Sequence, residues 1–504
     1  MKKSNFVPVL IITSFLLLTG WFTICNFPAI AKSISGSFRS GATVGQLNTA
    51  VTAELKSDDL FHKNDLINIS GLYGRITGRK FYNGILVMKN GMLVSDLTNL
   101  ILKPSVIDPK IEALTDIDAY INNYGGKFIY IQLPAKLAMD DDLMPPGHNS
   151  DTPLKVEGML SRFREAGIDV IDTLPLLTGT AEDLEKNFYR TDHHWKPAAA
   201  FKAFQMIMSH MKELFPEKKF SDEIMNIENW TIHEMPDQFL GSRGKHVGIY
   251  FAGIDALQWI TPDFDTEFSC YDTHTKNHIH GDYTKAFIRE QYLDPAIDKF
   301  HAENFNVYIG GDYPLVTIQN MNAPSDQRIL MIKDSYDLPL MTFLAAQFRE
   351  IVTIDPRHYA DSSIKEYISR TKPDIVIMSI NVGHINDISY FKFSSGSDNL
   401  LSNNQTRLID PGSIIAEESS MEDPLFIFDQ LESGKYYTLA IPEITVPEGS
   451  AKGLSMMLYN TENKEPVVQT VIDIPWCNKY RDCEWTFRTP EDGIQNYSLL
   501  LYTE

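Results

Sequence analysis

Arg328-Ile329-Leu330-Met331-Ile332-Lys333-Asp334-Ser335-Tyr336 is the stretch on which the fold turns. Four consecutive apolar residues run straight into a polar turn, and a helical pattern starts near Pro339 and continues to Phe348. A run that is apolar on both faces suits a buried parallel strand. The same unit recurs along the chain. A helix over Ile111 to Tyr124 is stopped by Gly125-Gly126 and followed by a strand over Phe128 to Leu133. A helix over Leu154 to Ala166 precedes Asp169 to Asp172, and another spans Pro197 to Phe215. Strands at Ile351 to Ile354 and Ile375 to Ile380 flank a helix over Ile364 to Arg370. Alternation of this kind predicts an α/β fold, a parallel sheet with helices on both faces. Ligand sites in such sheets lie beyond the carboxyl ends of the strands. Ser335 sits at such an end, where N–H groups of the following turn can hold an oxyanion.

The second polar constellation is Tyr189-Arg190-Thr191-Asp192-His193-His194-Trp195-Lys196-Pro197, ahead of the Ala-rich helix that Pro197 opens. Asp192 and His194 are two apart, so on an extended loop they project to the same side. A carboxylate placed there can fix the imidazole tautomer while the other ring nitrogen faces a serine hydroxyl. Two further readings stand beside this one: a metal held by Asp192 and the two histidines, or a helix-leading loop without chemistry. Trp195 reads as a packing residue that fixes the loop.

Asp-His-His-Trp followed far downstream by Lys-Asp-Ser-Tyr after a strand resembles the DHHW proteins, which go with the alginate O-acetyltransferase-like enzymes of the SGNH hydrolase superfamily. The resemblance covers roughly residues 60 to 390 and includes Gln238-Phe239-Leu240-Gly241-Ser242, similar to a Phe-x-Gly-Ser segment of that family. Asp and His precede Ser here, the family's permuted order. The resemblance implies an SGNH-like fold, with Ser335 as nucleophile, His194 as general base and Asp192 as its orienting partner. It also implies substrate-binding roles for Arg357, Tyr336, His193 and Asn381. Arg357, in Ile354-Asp355-Pro356-Arg357-His358-Tyr359, holds substrate oxygens or else pairs with Asp355. The N–H groups of Ser335 and Tyr336, with Asn381, are the oxyanion donors it suggests. The implied activity is transfer of acetyl groups onto polysaccharide hydroxyls, with a membrane-bound acyltransferase as donor and neither cofactor nor metal. A polysaccharide acetylesterase of the same chemistry and a non-catalytic polysaccharide-binding or assembly protein are the alternatives.

Outside this core, the chain of 504 residues divides further. Lys2 and Lys3 precede an apolar run from Phe6 to Phe27, and Ala29-Ile30-Ala31 resembles a signal-peptidase site. Residues 1–31 are therefore expected to be a signal peptide or an N-terminal membrane anchor, with the remainder exported to an extracytoplasmic location. Residues 32–57 have the spacing of a helical stalk, and Tyr82 to Val94 that of a hairpin around an Asn-Gly turn. The catalytic domain is expected over 32–395, interrupted by an irregular insertion over about 216–325. Short strands without helices after Ser394 to Asn399 predict an all-β sandwich over 396–504. Its Tyr436, Tyr437, Trp476, Tyr480 and Trp485 make it a candidate carbohydrate-binding module, or else form its core.

Cys477 and Cys483 are either a local disulfide or two free thiols. His274, His278, His280 and Asp282 are spaced for a metal or for a polar strand and loop. Hydrophobic residues at 43% and charged residues at 22% describe a globular chain. Its 66 acidic against 45 basic side chains, a net charge of −21, exclude a nucleic-acid-binding surface.

Overall fold

The eight-stranded sheet that organises the molecule has strand order β5-β4-β13-β11-β12-β10-β8-β9. These are β4 (Lys127–Leu133), β5 (Val170–Asp172), β8 (Phe268–Asp272), β9 (Asn277–Gly281), β10 (Leu315–Asn320), β11 (Ser325–Ile332), β12 (Phe348–Ile354) and β13 (Ile375–Asn381). The structure is a computed structural model that describes residues 62–394 except 96–101, 137–142, 146–150 and 179. It also describes most of the backbone over 407–503 and scattered earlier positions. Most of the signal or anchor, of the stalk and of the linker lies outside the described residues, although 23–28 are helical; Cys477 and the side chain of Cys483 lie outside them as well. No helix among the described residues is long and apolar enough to cross a membrane.

β5, β4, β13, β11 and β12 are mutually parallel. Alternate residues of β11 go to opposite faces, as the pleat dictates. Ile329 and Met331 join Phe201, Phe204 and Phe343 on one side, from α4 (Pro197–Leu214) and α6 (Asp337–Gln347). Leu330 and Ile332 join Leu114, Ile117, Leu160 and Ile368 on the other, from α2 (Pro104–Asn123), α3 (Thr152–Glu165) and α7 (Ile364–Thr371). Two cores on one sheet explain why its strands are apolar throughout. Each such side chain contributes about 1.5–3 kcal/mol by burial. Residues of α6 are buried on every side.

The insertion over 216–325 departs from the irregular segment expected. β10 pairs antiparallel with β12, β8 with β10, and β9 with β8, so the insertion extends the sheet. All five residues of β8 and all six of β10 are buried, so no alternation betrays them. Ser269, Gln319 and Asn320 are buried polar residues there, and made both strands read as loop. The same segment holds the antiparallel pair β6 (Trp230–Phe239) and β7 (Asp255–Pro262).

Ahead of the sheet lie α1 (Lys63–Ile76) and the meander β1 (Phe81–Tyr82), β2 (Ile85–Val87) and β3 (Leu93–Ser95). Asn83 and Gly84 both have positive φ, 51° and 77°, the mirror-image turn that a two-residue hairpin requires. After residue 395 the described residues form strands and their connections, with no helix among them. One four-stranded sheet contains β14 (Arg407–Ile409), β15 (Ile414–Ile415), β17 (Tyr436–Thr445) and β20 (Lys479–Arg488). The second contains β16 (Phe426–Leu431), β18 (Leu454–Asn460), β19 (Pro466–Ile472) and β21 (Gln495–Thr503). Tyr437, Leu439 and Ile441 are buried along one face of β17, which makes Tyr437 core and not a sugar platform. The side chains of Tyr436, Trp476, Tyr480 and Trp485 lie outside the described set.

Candidate active site

β11 ends at Ile332 and α6 begins at Asp337, so Lys333 to Tyr336 form the turn between them. Asp334 builds that turn. Its Oδ1 accepts the Tyr336 N–H at 2.9 Å, a side-chain mimic of a backbone turn. Its Oδ2 accepts from the Asn381 N–H at 2.8 Å and Nδ2 at 2.7 Å, and meets His384 Nδ1 at 2.9 Å. Burial pushes the Asp334 carboxyl up, but His384 and the N–H donors outweigh it and hold the group below the usual range. The turn is thereby tied to the end of β13, and Ser335 points outward. From Ile329 to Phe348, Ser335 and the edge residue Arg349 beyond them are the first positions that reach solvent, all others being buried. No protein acceptor among the described residues takes up the Ser335 N–H.

The histidine-bearing loop is held at both ends. Phe188 bridges to Trp195, whose fully buried indole N–H donates to the Tyr336 carbonyl at 2.8 Å. Lys136, at the end of β4, donates to the Tyr189 and Arg190 carbonyls at 2.8 and 2.9 Å. Burial lowers the Lys136 ammonium to about 7 against the pull of Asp192 and Asp255.

These constraints set His194 Nε2 2.8 Å from Ser335 Oγ and His194 Nδ1 2.5 Å from Asp192 Oδ1. With Nδ1–H donating to the carboxylate, Nε2 carries the lone pair that faces the serine hydroxyl. Asp192 Oδ1 also accepts the His194 N–H at 2.9 Å, and Oδ2 accepts the Ser242 N–H at 2.6 Å. Burial pushes the Asp192 carboxyl up, but His193, His194 and these hydrogen bonds prevail and keep it well below the carboxylate range. Phe305 stacks on the His194 ring, 3.8 Å away and 8° from parallel.

The Phe239-Leu240-Gly241-Ser242 segment now has a physical account. Ser242 opens α5 (Ser242–Val247), and its N–H holds the second carboxylate oxygen. Its hydroxyl lies 2.9 Å from His193 Nδ1. Gly241 is needed because a Cβ there would overlap Asp192.

The other expected site residues fare differently. Tyr336 is buried, its N–H is engaged by Asp334, and its hydroxyl donates to the His193 carbonyl. Asn381 donates its amide to Asp334 and accepts the Gly383 N–H at 2.7 Å. Neither is a free donor, so both support the turn from behind, and of the three groups Ser335 N–H alone has no protein acceptor among the described residues. Arg357 bonds Asp355 through Nε at 2.9 Å and Nη2 at 2.5 Å, and Asp312 through Nη2 at 3.1 Å. Its pairing with Asp355 is the structural reading of the two. Lys333, fully buried, completes this cluster with Asp312 at 2.6 Å. Burial raises the Asp312 carboxyl, but Lys333, Arg357 and His194 outweigh it and bring it to about 2. His193 is the residue of the four that borders the site openly, 35% exposed, and burial with the neighbouring His194 lowers its imidazole to about 3.

Asp192, His193 and His194 also present ligand atoms within 4.8 Å of one another, as a metal reading requires. Those of Asp192 and His194 are engaged with each other and with Ser335. His278 instead meets Ser269 Oγ at 2.7 Å, and Asp282 caps a short helix by accepting the Lys285 N–H. With His274 and His280 they form no ligand group among the described residues. Nothing local in the sequence singles out Phe305. Asp312, behind Gly310-Gly311, and Lys136, behind a strand and Pro134, carried the signal of polar residues at strand edges.

Residues 103–231 match the family described as the SGNH hydrolase-like domain of the acetyltransferase AlgX. No curated protein matches the chain in sequence. Bacillus cereus PatB1 is 20% identical with a TM-score of 0.51, over 62% of this chain and 99% of that one. Its sulfonyl adduct gives 18% identity and the same TM-score, over 62% and 97%. A DHHW family protein from Eubacterium siraeum is 16% identical over 64% and 96%, with a TM-score of 0.43. The PatB1 likeness establishes the fold of the α/β body. The chain is thus similar over residues 103–231 to the SGNH hydrolase-like acetyltransferase-domain family, and its α/β body shares the fold of PatB1.

Proposed function

We propose that the protein is an extracytoplasmic O-acetyltransferase that moves acetyl groups onto hydroxyls of an exopolysaccharide or cell-wall polysaccharide through an acetyl-serine. The observation that carries this reading is the continuous contact Asp192–His194–Ser335, at 2.5 and 2.8 Å, ending on a serine that is only partly buried. His194 Nε2 takes the Ser335 proton as Oγ attacks the acetyl carbonyl carbon. The Ser335 N–H faces the oxyanion that forms. Collapse breaks the bond to the donor's leaving group, which departs with the proton from Nε2. A sugar hydroxyl then loses its proton to the same nitrogen and attacks acetyl-Ser335, and that proton returns to Oγ. Asp192 holds the tautomer and stabilises the imidazolium in both halves. The donor is a membrane-bound acyltransferase, and the N-terminal apolar run lies in or through the membrane beside it.

The test is intact-mass analysis of the full chain after incubation with an activated acetyl ester, then with oligosaccharide. One added acetyl on Ser335, absent in Ser335→Ala and transferred to the sugar, is the expected result. Free acetate with no acetylated sugar would replace transfer by hydrolysis, and an unlabelled Ser335 would sink the acyl-enzyme altogether.

A further inference from the structure

Leu66, Ile69, Leu72, Tyr73 and Ile76 of α1 are 39%, 57%, 43%, 58% and 75% exposed. Their spacing of three and four puts them on one side of the helix. The inward side carries small and polar residues beside the partly buried Ile67. A Cβ at Gly71 would overlap the Val247 carbonyl, Gly74 lies against the Phe251 ring, and Asn68 Oδ1 accepts the Ile249 N–H at 2.7 Å. α1 is thus inverted relative to an ordinary surface helix, with all of its bulky apolar residues but Ile67 facing outward. Tyr250, 53% exposed, lies beside the same packing. A contiguous apolar stripe of this kind marks an interaction surface.

Its charge identifies the partner. Between residues 62 and 80, Lys63, Arg75, Arg79 and Lys80 stand against Asp65, a net of +3 in a chain of −21. The Arg79 guanidinium lies over the Tyr73 and Tyr82 rings at 5.5 and 5.6 Å, a cation at the border of the stripe. Apolar side chains rimmed by cations suit the boundary between acyl chains and anionic headgroups. The apolar run Phe6 to Phe27 has the length to span a bilayer, and 35 residues separate it from Lys63.

We propose that α1 lies on an anionic lipid bilayer, with Leu66, Ile69, Tyr73 and Ile76 in the interface and Lys63, Arg79 and Lys80 on headgroup phosphates. Its glycine side rests on the segment that follows Ser242, so this contact fixes how the catalytic edge faces the membrane. The proposal does not depend on the acetyl chemistry.

The test places a photo-crosslinking phenylalanine analogue at position 69, 73 or 76 of the full chain in vesicles containing phosphatidylglycerol. A control at Met321, 47% exposed, sits in the turn between β10 and β11. Lipid adducts from the three helix positions and not from 321 are expected. In the Arg79→Gln/Lys80→Gln chain, with unchanged melting, their yield should fall at least about fivefold. Adducts to another protein, adducts within the chain itself, or equal lipid yield from position 321 would each overturn the proposal.

Discussion

At the scale of single residues, the candidate site rests on atoms that admit little change. Ser335→Ala should lower acetyl turnover about a thousandfold or more while melting stays put, read by initial rates and calorimetry. Gly241→Ala places a methyl on Asp192, so the pair must part. Stability should fall by about 1–3 kcal/mol and activity with it, measured by denaturant titration and rates. Asp334 and Asp337 separate structure from charge. Burial and the charge of Asp334 push the Asp337 carboxyl well above its ordinary value. Asp337→Asn should lower stability by only about 1 kcal/mol, since an amide oxygen can still accept the Asp334 N–H and the Ser379 hydroxyl alone loses its acceptor. Asp334→Asn removes the charged acceptor of the turn and should cost about 1.5–3 kcal/mol in the same titration. Asp192, His194 and Ser335 were legible because an Asp two before a His, and a Ser after an apolar strand, are local patterns. The engagement of Tyr336 and Asn381 was not, because it follows from where the Asp334 carboxylate points.

At the scale of elements, the sequence predicts best what is apolar without interruption. β4, β11, β12 and β13 were each placed within a few residues, since a strand between two helical layers has no polar face to confuse it. Strands with buried polar residues failed that test. Gln319 is held by Glu350 at 2.9 Å and Asn320 by the Ala345 and Ala346 carbonyls, contacts that no local pattern announces. α2 begins at Pro104, well before the apolar periodicity, because a first-turn proline sets its start. The loop from Tyr189 to Trp195 depends on Lys136, a residue 53 positions away from its nearer partner. Lys136→Met should leave two carbonyls short of a donor, cost about 1–3 kcal/mol and lower turnover with the acetyl-serine still detectable. Undiminished turnover in that variant would show that the loop holds itself.

For the whole molecule, acid should be the sensitive direction. His193 is neutral in the folded state down to about pH 3, whereas unfolded histidine gains a proton near 6.5. Between those values the unfolded chain binds more protons, so stability falls as pH is lowered. Asp192 and Asp312 act in the same direction from about pH 4 downward, because their folded carboxyls titrate below the unfolded ones. The melting midpoint should thus decline from about pH 6.5, and His193→Gln should flatten the upper part of that decline. The helix behind Ser335 has a different consequence. Since α6 turns no side toward water, it cannot loosen by itself, and the footing of Ser335 gives way only with the domain around it. Heating should therefore abolish activity together with bulk structure, with no earlier inactivated stage. Any adjustment to an arriving ligand falls to the imidazole and the walls of the cleft, around an oxygen that stays in place.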